Sequence, residues 1–373
     1  MSTAFELPTD YDEIIKRIDQ IDPVRYAKSR NFINGAVTQL SPYISRGVIE
    51  PATLLKRIAE KGYTYYQCEK FIQQICWREY FQKVWQNLNE EIDVDIKHQQ
   101  TDVVHRGISV AICNAQTSIE AIDTGIQELI SSGMMHNHLR MYIAFLACNL
   151  GKAHWLHPAK WMYYHLLDGD WGSNALSWQW VAGTFSSKKY IANQENINYY
   201  TGIQQFNTFL DLDYDTLQQL HTPEVLRDEK IVSLKTKLPE QQSLAVDPSL
   251  PTLIYNYYNL SPTWKTEITA NRILLLEPEI FEKYPIADHC VKFMFALAEN
   301  IKGIQPYIGS FQSLKSLLPN SSFYFKDHPL NNHYTGIKEK GNGFLFDAKK
   351  TEGSFFSFWK KNEPSVKNLF NSY

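Results

Sequence analysis

Two short stretches of this chain hold residues able to do chemistry together. In the first, 133–150 (GMMHNHLRMYIAFLACNL), helical spacing separates two faces. Met135, Leu139, Tyr142 and Leu146 make an apolar stripe, whereas Asn137, Arg140, Met141, Ala144 and Cys148 mix an amide, a cation and small side chains. The second face can floor a polar aromatic ligand, and it can equally be a half-exposed helix start. In the second stretch, read as the loop 166–180 (LLDGDWGSNALSWQW), Asp168 and Asp170 bracket a glycine and Asn174 follows on the same turn. Two carboxylates and an amide can hydrogen-bond the N–H and C=O edge of a flat heterocycle. They can also hold a divalent metal, but the other oxygen ligands of a calcium loop are missing, so the heterocycle ranks first and no metal site is expected.

The elements that must position these residues are mostly helical. Apolar residues recur at helical spacing over 12–20, 51–61, with Pro51 in the first turn, and 65–88. Thr117, Ser118 and Glu120 open a helix at 118–131 that Gly133 closes, and helical patterns continue over 134–150 and 158–167. A change of composition near 235 ends this pattern. The segment 236–251 carries three prolines and reads as a linker. Beyond it, 252–260, 272–278, 303–309 and 321–327 are short β-rich runs, with a helical pattern at 287–301 between the second and third. That order suggests a small βαβ-type unit. The expected architecture is therefore mainly α. A helical domain spans 1–235, followed by the linker and a small α/β region at 252–373, whose role the residues leave open.

Composition narrows the partners. Aromatic residues make up 14% of the chain, which fits either a large aromatic core or a site that stacks flat rings. The formal net charge of -3 does not announce a nucleic-acid partner, although a local basic groove is compatible with it. Cys68, Cys76, Cys113, Cys148 and Cys290 are widely spaced with no C-x-x-C pair, which argues against a disulfide framework or a thiolate-held metal and for a reducing cytoplasm. No leader-like apolar segment opens the chain, and no apolar run is long enough to span a membrane.

Taken together, MHNHLRM (135–141), DGDWGSN (168–174), WQW (178–180), TQLSPYISRG (38–47) and CWREYF (76–81) resemble the photolyase and cryptochrome family over roughly 12–202, in order and in spacing. The resemblance implies a helical FAD-binding domain. By position, Tyr26, Thr38, Leu40 and Ser41 match residues that hold the FAD phosphates, and Arg78 matches a flavin-side residue. Arg140 and Asp168 match an ion pair beside the isoalloxazine, Asp170 a carboxylate at the ring edge, and Asn174 the residue facing flavin N5. Trp77 and Trp180 match two tryptophans that flank a flipped pyrimidine dimer, with Asn137 and Met141 as further lesion contacts. Trp178 and Trp155 match the inner members of an electron-transfer chain. The implied activity is that of a deoxyribodipyrimidine photo-lyase: light-driven electron transfer from reduced FAD to a dimer flipped out of damaged DNA.

Several positions depart from the family pattern. Gln74 stands where dimer photolyases carry a glutamate, and His138 replaces an arginine that helps grip DNA. Val37, Gln39 and Met134 also differ, and 87–115 has no tryptophan to serve as the distal electron carrier. Photolyases of the usual plan place a Rossmann-like domain before the FAD domain, whereas few residues precede the match here. The region 252–373 can be a relocated, shortened substitute, and no second antenna chromophore is expected on it. These departures keep two alternatives open: a cryptochrome-like light sensor or DNA-binding flavoprotein without repair, and an interaction protein with a relict site.

Overall fold

The computed structural model describes residues 7–341, 345–346 and 353–373. They form two compact units. The first comprises Arg25–Val37 and Leu88–Leu234, the second Leu7–Val24, Thr38–Asn87 and Lys235–Tyr373.

The first unit is helical. Its main helices are Glu120–Ser132, Asn137–Phe145, Leu156–His165, Trp171–Ala182 and Gln194–Thr201. The helix at Asn137 runs on into a π-helical turn, Leu146–Leu150. Such turns are rare and often mark functional segments. Here Asn149 of that turn donates to the carbonyls of Val181 and Tyr190, at 3.0 and 2.8 Å, which ties it to the end of the Trp171–Ala182 helix. The start of the Glu120 helix differs in detail from expectation. Thr117 bonds through its N–H and its hydroxyl to Asp123, so Asp123 rather than Glu120 reaches back. Gly133 ends that helix at φ 72°, a left-handed conformation that glycine adopts without cost.

The second unit combines helices Tyr11–Asp19, Pro51–Glu60, Tyr65–Leu88 and Phe355–Asn371 with a parallel sheet. We number its strands β1 (Thr252–Tyr255), β2 (Asn271–Leu276), β3 (Ile304–Ile308), β4 (Phe323–Lys326) and β5 (Ile337–Glu339). Every neighbouring pair is parallel, and the spatial order is β3-β2-β1-β4-β5. The four expected β-rich runs and the helix at 287–301 are all present, and the sheet gains a fifth strand. All four residues of β1 are buried, as befits a central strand of a parallel sheet covered on both faces. One layer of its core is Ile254, Ile273, Leu275, Phe323 and Phe325 against Phe311 and Leu314. The segment 236–251 carries no helix or strand. All five cysteines are free thiols, and among the described residues no helix is long and apolar enough to cross a membrane.

Candidate flavin site

The turn between helices Leu156–His165 and Trp171–Ala182 builds the centre of the site. Gly169 cannot be replaced cheaply: a Cβ there would lie 2.9 Å from the Leu166 carbonyl and 3.2 Å from the Tyr163 ring. The tight turn carries Asp168 and Asp170 on either side of it. Asp170 caps the following helix, accepting from the Ser173 N–H at 2.8 Å. The Asp170 carbonyl receives the Asn174 N–H at 2.8 Å, and the Asn174 side-chain amide donates to the Ala159 carbonyl at 2.9 Å. The Asp170 side chain is therefore fixed by the helix it starts, and that of Asn174 by the preceding helix Leu156–His165.

Arg140 reaches the same turn from the Asn137–Phe145 helix. Its Nη2 donates to both carboxylate oxygens of Asp168, at 3.0 and 2.9 Å, and its Nε to the Met135 carbonyl at 3.0 Å. Asp168 has 7% of its side chain exposed and Arg140 24%, so the pair is largely dry and stronger than a surface ion pair. Arg140 and Asp168 thus meet as expected, with Asp170 and Asn174 set on the same turn and helix.

The remaining expected residues of this unit occupy distinct settings. Trp155 and Trp178 are buried. The Trp155 indole N–H donates to Asp95 at 2.8 Å, and Asp95 also accepts from the Gln100 N–H at 2.8 Å. Trp180 is 43% exposed and leans on Tyr190, with ring centroids 5.7 Å apart. Asn137 is exposed at the helix start, with its amide 3.6 Å from the Met141 sulfur. Tyr26 is half-buried on the helix Pro23–Ser29. His138 stacks on Tyr200 at 4.6 Å, and burial, with His136 and Arg30 nearby, pushes its pKa down to about 4. The ring is neutral at pH 7 and brings no charge to a phosphate backbone, unlike the arginine whose position it takes.

In the second unit, the Thr38 hydroxyl accepts from the Leu40 N–H at 3.3 Å, Leu40 is buried, and Ser41 is exposed at the start of the short helix Ser41–Ser45. Gln74, Trp77 and Arg78 lie on the Tyr65–Leu88 helix. Trp77 is half-buried, and one ring face is already stacked on Phe355 at 3.7 Å and 13°. Arg78 lines a pocket with residues of the parallel sheet.

Asp95, Phe355 and the carbonyls of Met135 and Ala159 were not anticipated. Asp95 lies 60 residues from Trp155 in a segment without periodicity, so nothing in the spacing could have found it.

Four half-buried histidines in the first unit, His136, His138, His154 and His157, have pKa values lowered chiefly by burial. Each contributes stability that is present above the ordinary value of 6.5 and is lost as pH falls, because the unfolded ring takes up the proton first. Thermal unfolding should therefore move to lower temperature between about pH 6.5 and 4. His138→Phe, which can retain the stack on Tyr200, should flatten that fall. An unchanged slope in the variant would exclude His138 as a source.

The family model described as the FAD binding domain of DNA photolyase matches residues 71–215. A deoxyribodipyrimidine photo-lyase of Streptomyces griseus is 30% identical over 155 residues, covering 40% of this chain and 32% of that protein. One of Alkalihalophilus pseudofirmus is 27% identical over 266 residues, covering 63% of this chain and 52% of that protein. A cryptochrome DASH of Xenopus laevis is 26% identical over 233 residues, covering 58% and 44%. The chain thus spans about a third to a half of the length of these relatives. Residues 71–215, which hold Arg140, Asp168, Asp170 and Asn174, are thus similar to the FAD binding domain of DNA photolyase.

Proposed function

We propose that this protein is a photolyase-like flavoprotein, a deoxyribodipyrimidine photo-lyase acting on a pyrimidine dimer flipped out of damaged DNA. The observation that carries this reading is the largely dry Arg140–Asp168 pair beside Asp170 and Asn174. Their donor and acceptor set suits the polar edge of an isoalloxazine: carboxylates for its N–H, a guanidinium and an amide for its oxygen and nitrogen acceptors. FAD, when bound, supplies the light-driven electron, and the chain supplies position and field.

In this reading Tyr26, Thr38, Leu40 and Ser41 hold the phosphates of the cofactor and Arg78 lies on its flavin side. Arg140 and Asp168 set the charge beside the ring, and Asn174 faces it. Trp178 and Trp155 carry electrons inward from the surface. The hydrogen bond from Trp155 to Asp95 favours loss of an electron from that indole, because a carboxylate stabilises the positive charge that remains. Trp180 and Trp77 are the aromatic walls for the flipped base, with Gln74, Asn137, His138 and Met141 at its rim. A damaged base pair is cheaper to unstack than an intact one, and ring walls recover the stacking.

A second reading, a light sensor or DNA-binding flavoprotein without repair, draws on three observations. Gln74 cannot supply a carboxylate, His138 is neutral, and Phe355 occupies one face of Trp77. One experiment separates the two. The reduced protein is illuminated with blue light in the presence of a thymine-dimer oligonucleotide, with a dark control. Repair predicts light-dependent loss of dimer. A flavin photocycle with dimer retained selects the sensor, and a colourless purified protein rejects both.

A further inference from the structure

The parallel sheet carries a pocket of its own. Strand order reverses at the boundary between β1 and β4, so the loops leaving their carboxyl ends part and open a crevice, the usual ligand position in open α/β sheets. Asn256 follows β1 directly, and His328 lies two residues beyond β4. Both line the crevice, together with Arg78, Lys326, Asp327 and Asn331. The Asn256 amide donates to Asn331 at 3.0 Å, and Asn331 donates to the Lys326 carbonyl at 2.8 Å, so the wall is tied together.

His328 gives the pocket its chemistry. The residue is 9% exposed, stacked on Tyr258 at 4.2 Å and edge-on to Trp85 at 5.1 Å. Its Nδ1 accepts from the Leu330 N–H at 3.3 Å. A neutral imidazole with Nδ1 as acceptor carries its proton on Nε2. Burial and the nearby charges of Arg78 and Arg46 keep the ring neutral. Among the described residues the buried Nε2–H has no acceptor, a situation native interiors rarely leave uncompensated. Arg46 is itself buried, its guanidinium 3.4 Å above the Tyr257 ring. A buried donor beside Arg78 and Lys326 favours an anionic oxygen, and the Asp327 carboxylate in the same lining is engaged by the Gln86 amide at 3.1 Å and by Lys338 at 3.3 Å.

We propose that the crevice beyond β1 and β4 is an oxyanion site in which His328 Nε2–H and Arg78 hold a phosphoryl oxygen, of inorganic phosphate or of a nucleotide. Arg78 is shared with the flavin reading but His328 is not, so substitutions of His328 test this site separately from the repair reading.

The full chain is unfolded thermally in sodium phosphate and in sodium chloride of equal ionic strength, with a parallel arm in adenosine monophosphate. Phosphate should raise Tm by about 2 °C or more over chloride. His328→Leu should lose the effect, and His328→Gln, which keeps an N–H donor, should retain part of it. A response at lower concentration of the monophosphate than of phosphate assigns the site to a nucleotide; the reverse assigns it to the free ion. Should His328→Leu fail to fold, the imidazole ¹⁵N signal that disappears in His328→Gln must shift with phosphate in the unsubstituted protein. Equal Tm in phosphate and chloride, an undiminished response in His328→Leu, or an unmoved His328 signal each overturns the proposal.

Discussion

Asp168→Ala is expected to cost about 2–4 kcal/mol of stability, to lower Tm by on the order of 5–10 °C, and to yield protein without flavin colour. Arg140 keeps its bond to the Met135 carbonyl but loses both carboxylate oxygens, at 3.0 and 2.9 Å. Breaking a fully buried pair costs roughly 3–5 kcal/mol, chiefly because the surviving charge is stranded. Arg140 is 24% exposed, so water recovers part of that and the lower figure follows. The flavin consequence is separable. Arg140→Met with Asp168→Leu removes both charges, and should regain much of the stability while still failing to bind the ring. Calorimetry and an absorbance spectrum of the two proteins check both halves. If the double variant is yellow, the collar is a structural ion pair and the flavin site lies elsewhere.

The residues of that collar were readable because they are local. Asp168, Asp170 and Asn174 fall within one turn and the first two turns of one helix, and Arg140 sits on a helix whose two faces are evident from spacing alone. The helices over 12–20, 51–61, 65–88, 118–131, 134–150, 158–167 and 287–301 and the four principal strands were readable for the same reason, whereas Trp171–Ala182, expected within a loop, is a helix buried on nearly all sides that leaves no apolar period to read. What escaped was set by contacts between distant segments. The carboxylate on Trp155 comes from Asp95, and the ring on Trp77 from Phe355. Strand β5 is three residues long with two of them exposed, so no apolar pattern marks it. Helix Phe355–Asn371 holds Pro364 in its interior, where proline normally reads as a breaker. The pocket at His328 depends on which strands are neighbours, and a string of residues does not carry strand order.

Glu79 illustrates how much such a distant contact can be worth. It belongs to the CWREYF motif, yet its work in the fold is to hold a segment far along the chain. Its carboxylate is 1% exposed and accepts from the N–H groups of Leu345 and Phe346, at 2.7 and 2.9 Å. Lys83, 6% exposed, lies 3.8 Å away and donates to the Phe346 carbonyl at 3.2 Å. Glu79→Ala would strand two amide donors and remove the carboxylate beside a buried ammonium, so a loss of about 3–5 kcal/mol and a fall in Tm near 10 °C are expected. The pH dependence of that loss carries its own signature. Burial pushes the Glu79 pKa up to about 7 from 4.5, against the pull of the two N–H groups and Lys83. The native state therefore holds its proton more tightly than the unfolded chain does. That contribution is fully present below about pH 4.5 and is lost as pH rises through 7. The gap in Tm between the unsubstituted protein and Glu79→Ala should accordingly be larger at pH 5 than at pH 8. A gap that widens with rising pH would mean that the ionised carboxylate, gripping Lys83, is the form the fold prefers.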